Sequence, residues 1–119
     1  MNKQVFRREI WIADLGEHPD TSLQESIRPV IIISNRLNNQ YSTVYTGVPL
    51  TTKDKARHLP VHVPVKRQDT DYTLDEDSVA LVEQRRPVAQ ERLIRKIGML
   101  TNDDVLAQIL EADRIQVSE

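Results

Sequence analysis

Arg28 and Thr51 are the two side chains in this chain best set for chemistry. Arg28 opens the run Arg-Pro-Val-Ile-Ile-Ile-Ser at 28–34. Pro29 forces its predecessor into an extended backbone. Four consecutive branched apolar residues follow, the signature of a strand buried on both faces. A rigidly held guanidinium at the lip of such a strand can present paired donors to the oxygens of a phosphate. A surface arginine preceding an edge-forming proline fits the same stretch. Thr51 is the first of the threonine pair in Val-Pro-Leu-Thr-Thr at 48–52, and its hydroxyl can donate one more bond to a phosphate or orient a ribose hydroxyl. Read alone, Thr51 is a turn residue bonding its own backbone. Their separation suits adjacent ends of neighbouring strands. A phosphodiester held there can be attacked by its own 2′-OH, which needs no external nucleophile.

Other chemistries are thinly represented. The chain has no cysteine, which removes disulfides, thiolate nucleophiles and cysteine-ligated metals. His18, His58 and His62 match no metal-binding spacing. His62 alternates with Val61, Val63 and Val65, so it is expected on the sheet surface, facing away from them. Three glycines leave nothing for a phosphate-cradling Gly-rich loop. No cofactor is expected.

Charge is unevenly spread. The formal net charge is -2. Yet residues 53–67 carry Lys53, Lys55, Arg57, Lys66 and Arg67 against Asp54, or +4. Residues 83–96 carry Arg85, Arg86, Arg92, Arg95 and Lys96 against Glu83 and Glu91, or +3. Asp69, Asp71, Asp75, Glu76 and Asp77 give -5 over 69–77. The basic stretches could hold a polyanion, or pair locally with the acidic one.

The elements that must position these groups read as strands over 9–15, 28–34, 41–50, 59–65, 78–82 and 92–100. A turn-rich loop is expected over 35–40, and Gly47 and Pro49 argue against a regular central strand at 41–50. Thr101 and Asp104 form a capping box. Val105, Leu106, Ile109 and Leu110 then share one helical face, giving a helix near 102–113. With 119 residues and no βαβ repetition, the expectation is a single domain over 1–119, mainly β, a small curved antiparallel barrel with a C-terminal α-helix. The opening residues lack a leader's apolar region and no run could span a bilayer, so a cytoplasmic protein without a membrane partner is expected.

Several ordered motifs resemble the MazF/PemK (Kid) family of toxin endoribonucleases, the mRNA interferases of type II toxin–antitoxin systems. They are Arg-Glu-Ile-Trp-Ile-Ala-Asp-Leu-Gly at 8–16, Ser-Leu-Gln-Glu-Ser-Ile-Arg-Pro-Val-Ile-Ile-Ile-Ser-Asn at 22–35, Val-Pro-Leu-Thr-Thr at 48–52, Leu-Pro-Val-His-Val at 59–63, Asp-Glu-Asp-Ser-Val-Ala-Leu-Val-Glu-Gln-Arg-Arg-Pro-Val at 75–88, and the stretch 92–105. The resemblance implies an SH3-like barrel, a homodimer, and metal-independent cleavage of single-stranded RNA to a 2′,3′-cyclic phosphate and a 5′-OH. It also implies a short acidic antitoxin covering the RNA groove, with operator DNA reached only through that partner.

By position, the resemblance implies catalytic roles for Arg28 and Thr51. It implies RNA-groove positions for Ser22, Gln24, Glu83, Gln84 and Arg86; Thr52, Lys53, Lys55 and Arg85 join them as neighbouring polar and basic groups. Arginine stays protonated, so Arg28 is expected to stabilise phosphoryl charge rather than act as base. Three departures stand out. Leu23 occupies the place where the family commonly has glutamate. The opening motif's glycine is missing, so Arg8 directly precedes Glu9. Arg85 replaces an isoleucine or proline. A catalytically weak member acting through antitoxin binding is therefore the alternative reading.

Overall fold

The computed structural model describes residues 4–16, 27–52 and 61–117, with side chains to 115. Its strands are β1 (Glu9–Asp14), β2 (Ile27–Ile32), β3 (Val44–Thr52), β4 (His62–Val65), β5 (Ser78–Leu81), β6 (Arg86–Ala89) and β7 (Leu93–Met99). Two helices, α1 (Arg36–Tyr41) and α2 (Asp103–Val117), complete the described regular elements together with three short 3-10 turns.

The sheet is antiparallel and runs β4-β5-β3-β2-β1-β7, with β6 branching from β3. This corrects the expected closed barrel: no described pairing joins β7 back to β4, so the sheet keeps two edges. The reason lies in β3. Its outer edge is shared by two strands, β5 at Leu50–Thr52 and β6 at Val44–Gly47. The partner offset jumps by three residues between those ladders, and the 3-10 turn Val82–Gln84 takes up the three. Helix α2, rather than a further strand pairing, covers the open side by packing Val105, Leu106, Ile109 and Ala112 into the core.

The same fork explains how Gly47 and Pro49 sit inside a nine-residue central strand, against expectation. Val48 and Pro49 face the gap left by the 3-10 turn, where that edge of the ladder is interrupted. A residue without an N–H donor is tolerated at such a break. The Gly47 backbone lies against Val88 and Val30, so a Cβ there would crowd the Val88 methyl at 3.1 Å.

The branched run of β2 is buried on both faces, as its composition demands. Ile31 and Ile33 join the core beneath α2, with Ile10, Val48, Leu50, Val63 and Val65. Val30 and Ile32 join a second cluster on the opposite face with Trp11, Ala13, Tyr45, Val88 and Leu93. Burial of this kind contributes about 25 cal/mol per Å² of apolar surface removed from water. Trp11 Nε1 donates to Glu9 Oε1 at 3.0 Å and Lys96 Nζ lies 2.9 Å from Glu9 Oε2, a polar pin through β1.

Two local readings are corrected. Residues 36–41 form α1 instead of a loop, because the Asn35 side chain accepts from Asn38 N at 2.9 Å and caps the turn. Helix α2 is capped by Asn102, whose Oδ1 accepts from Asp104 N at 2.9 Å. Thr101 donates instead to the Asp69 carbonyl at 3.1 Å. Asp69 also accepts from Lys66 N and Asn102 Nδ2, each at 2.9 Å, so one buried carboxylate ties the acidic connection to the start of α2.

Candidate functional site

Antiparallel pairing brings the end of β1, the start of β2 and the end of β3 to one end of the sheet. Ala13 pairs with Arg28. The β2–β3 ladder ends at Val30–Pro49, and Arg28 and Thr51 each lie two residues beyond that last pair, on neighbouring strands. Thr51 pairs with Val79, and Val79 with Pro64. On the other flank Ala13 pairs with Leu93. One transverse row therefore reads Leu93, Ala13, Arg28 and a second reads Thr51, Val79, Pro64, with Arg28 and Thr51 at their facing ends.

Alternation along β2 puts Arg28 on the face of Val30 and Ile32, the face turned away from α2. Alternation along β3 puts Thr51 there too, in step with Tyr45. The two residues expected to carry chemistry thus occupy neighbouring positions on one face. Thr51 is only 3 % exposed. Its Oγ1 and the Arg28 Nε are both buried, and neither has a hydrogen-bond partner among the described residues. A buried polar atom left unpaired costs about 1–3 kcal/mol. Two such atoms at the adjacent ends of neighbouring strands, one of them on a cation, are chemically suited to an oxyanion.

Arg86 reaches the same face. It pairs with Gly47 two residues before the buried Val88, and its Nη1 donates to the Leu15 carbonyl at 3.4 Å. Burial pulls its pKa below the ordinary arginine value, though arginine keeps its charge at neutral pH.

The neighbouring motif residues go elsewhere. Arg85 pairs with Asp113 of α2. Glu83 is engaged by His62, with Nε2 to Oε2 at 2.8 Å. His62 is not the surface residue its alternation suggested: its side chain is 6 % exposed. Gln84 is half-buried in the 3-10 turn, and Thr52 ends β3 opposite Ser78. Ser22, Gln24, Lys53 and Lys55 lie outside the described residues, as does Leu23. Neither row contains a carboxylate. Among the described residues no group of three or more His, Asp or Glu is placed to hold a metal ion.

Sequence reasoning missed two features of this region. The Leu15 carbonyl anchors Arg86, a backbone contact that no residue type announces. The His62–Glu83 pair spans 21 residues, and its only trace in the sequence is the presence of two complementary groups.

The family model for PemK-like, MazF-like toxins of type II toxin–antitoxin systems matches residues 6–116. Among solved structures, the Mycobacterium tuberculosis toxin MazF-mt6 is 27 % identical, covering 89 % of this chain and 92 % of its own, with a TM-score of 0.70. A MazF from Deinococcus radiodurans superposes with a TM-score of 0.75 at 17 % identity, over 98 % of this chain and 97 % of its own. A mycobacterial endoribonuclease in complex with its cognate antitoxin superposes at 0.74 and 19 % identity, over 97 % and 98 %. The last two likenesses are of fold alone.

Proposed function

Because the chain belongs to the PemK-like, MazF-like toxin family of type II toxin–antitoxin systems, we propose that it is a metal-independent, sequence-specific endoribonuclease acting on single-stranded RNA. The observation that supports this reading is that Arg28 and Thr51 lie at adjacent ends of neighbouring strands, each with a buried polar atom that has no partner among the described residues. The scissile phosphate binds there. The substrate's 2′-oxygen attacks phosphorus, the bond to the 5′-oxygen breaks, and the 2′-OH proton is balanced by one delivered to the departing 5′-oxygen. The products are a 2′,3′-cyclic phosphate and a 5′-OH.

Arg28 stabilises the charge that builds on the phosphoryl oxygens, an effect strongest where water is excluded. Thr51 Oγ1 donates to one of those oxygens and fixes the phosphate for in-line attack. Arg86 adds positive potential from the same face. The group that deprotonates the 2′-OH is unassigned. Ser22, Gln24, Thr52, Lys53, Lys55, Gln84 and Arg85 are proposed to line or flank the RNA groove, with Glu83 acting through His62. We further propose a homodimer in the cytoplasm whose groove is blocked by a short acidic antitoxin.

One observation favours a second reading. Neither strand row carries a carboxylate, and Leu23 stands where the resembled family commonly has glutamate, so the protein would be a weak or inactive member acting through antitoxin binding. Incubation with a mixed-sequence single-stranded RNA library in EDTA separates the two. Discrete fragments that vanish with Arg28→Ala are expected of the endoribonuclease. No cleavage anywhere in the library, with antitoxin binding intact, overturns it.

A further inference from the structure

Three guanidinium groups ring the end of β1. Arg28 pairs across from Ala13 on the β2 side. Arg86 Nη1 holds the Leu15 carbonyl at 3.4 Å. Arg92 Nη1 stands 3.6 Å from Asp14 Oδ2, and Arg92 enters from the opposite side of β1, because its neighbour Leu93 pairs with Ala13 on β7. Adjacent strands lie about 4.8 Å apart, so the backbones bearing Arg28 and Arg92 are roughly 10 Å apart across β1. Asp14 follows Ala13, so the Arg92–Asp14 contact lies on the other face from Arg28, and an RNA strand rounding the end of β1 passes both guanidinium groups.

The Arg92 contact differs from the other two. It is long for a charge-assisted hydrogen bond, and the Arg92 side chain is 58 % exposed. Asp14 already accepts from Gly16 N through its other oxygen at 2.9 Å. An exposed ion pair this loose contributes little to stability. It lies in an open depression lined by Asp14, Ala89, Glu91, Arg92 and Ile94. Among the described residues, Arg28, Arg86 and Arg92 outnumber the carboxylates of Asp14 and Glu91 around this strand end.

We propose that Arg92 binds a backbone phosphate flanking the scissile one, exchanging the Asp14 carboxylate for it. This rests on the endoribonuclease reading and adds to it a second electrostatic contact on the β7 side of β1. Such a contact positions the strand without reading its bases.

The test is fluorescence anisotropy of a labelled mixed-sequence 2′-O-methyl oligonucleotide pool, which binds but lacks the attacking hydroxyl, titrated at several KCl concentrations. Wild type should bind with a steep salt dependence. Arg92→Ala should weaken binding roughly 5-fold at low salt and flatten the log–log salt slope by about 0.7, the share of one phosphate on a single strand. Arg92→Lys should keep the slope, Asp14→Asn should tighten binding, and Arg114→Ala on α2 should change nothing. Wild-type binding with an Arg92→Ala slope equal to wild type overturns the Arg92 assignment alone. No binding by folded wild type, judged by its thermal melt, overturns the endoribonuclease reading beneath it.

Discussion

His62 Nε2 lies 2.8 Å from Glu83 Oε2, joining the edge strand β4 to the 3-10 turn that splits β5 from β6. The pair is largely out of water, at 6 % and 28 % side-chain exposure. Removing one partner leaves the other's polar atoms buried and unpaired. Glu83→Ala and His62→Ala should each destabilise the fold by about 1–3 kcal/mol. That corresponds to a fall in melting temperature of roughly 4 °C per kcal/mol. The double variant should cost less than the sum of the singles, because one interaction is being removed twice. Thermal melts of the three variants check this; strict additivity would mean that the contact contributes nothing.

Thr51→Val should separate stability from function. The hydroxyl is buried without a described partner, and valine replaces it with a methyl of similar shape. Melting temperature should hold or rise by a few degrees, the gain expected from deleting an unpaired buried polar group. RNA cleavage should fall by about 100-fold, the loss typical of one removed oxyanion donor. A melt that drops together with activity would make Thr51 a structural residue.

Gly98→Ala should destabilise more than an ordinary strand substitution. A Cβ at Gly98 would collide with the Thr73 side chain and Asp71 Oδ1. Asp71 Oδ1 already accepts from Met99 N at 3.2 Å, so it is not free to retreat. Overpacking of this kind costs about 1–3 kcal/mol. Urea unfolding should show a lower midpoint with an unchanged slope.

Stability should also decline in alkali through Tyr45. Burial raises its phenol pKa above the ordinary value of about 10. A group whose folded pKa is raised contributes stability below its unfolded pKa, and loses that contribution as pH rises toward and through the folded value. Melts from pH 8 to 11 should fall above about pH 10. Tyr45→Phe should flatten that limb; an unchanged limb would assign alkaline unfolding to other groups.

The strands were largely legible because their signals are local. The run after Arg28, the alternation of Val61, Val63 and Val65, and the stripe on α2 each follow from side-chain period alone, and each packs as expected. The closed barrel was not. Closure depends on which edge each strand takes, and the sharing of one β3 edge by β5 and β6 turns on a three-residue register jump. Within the site, the placement of Arg28 and Thr51 at the same end of neighbouring strands could be anticipated from strand spacing. The opposed fates of Arg85 and Arg86 could not, since adjacent residues in a bent segment are sent to different neighbours by tertiary packing. Arg8 holds a φ of 83°, in the left-handed region that favours glycine. The missing glycine of the opening motif was therefore a backbone signal hidden in a side-chain substitution.

In the proposed reaction, Arg28 and Thr51 together position a phosphodiester for attack by its own 2′-OH. Once a cleavage site has been mapped, the most direct measurement is single-turnover cleavage of that RNA in EDTA beside the same strand with one 2′-deoxy sugar at the site. The expected result is a 2′,3′-cyclic phosphate end on the RNA product, complete loss of cutting at the deoxy position, and a fall of about 1000-fold or more for Arg28→Ala on the unmodified strand. Cleavage that persists at the 2′-deoxy position, or full activity in Arg28→Ala, would contradict it.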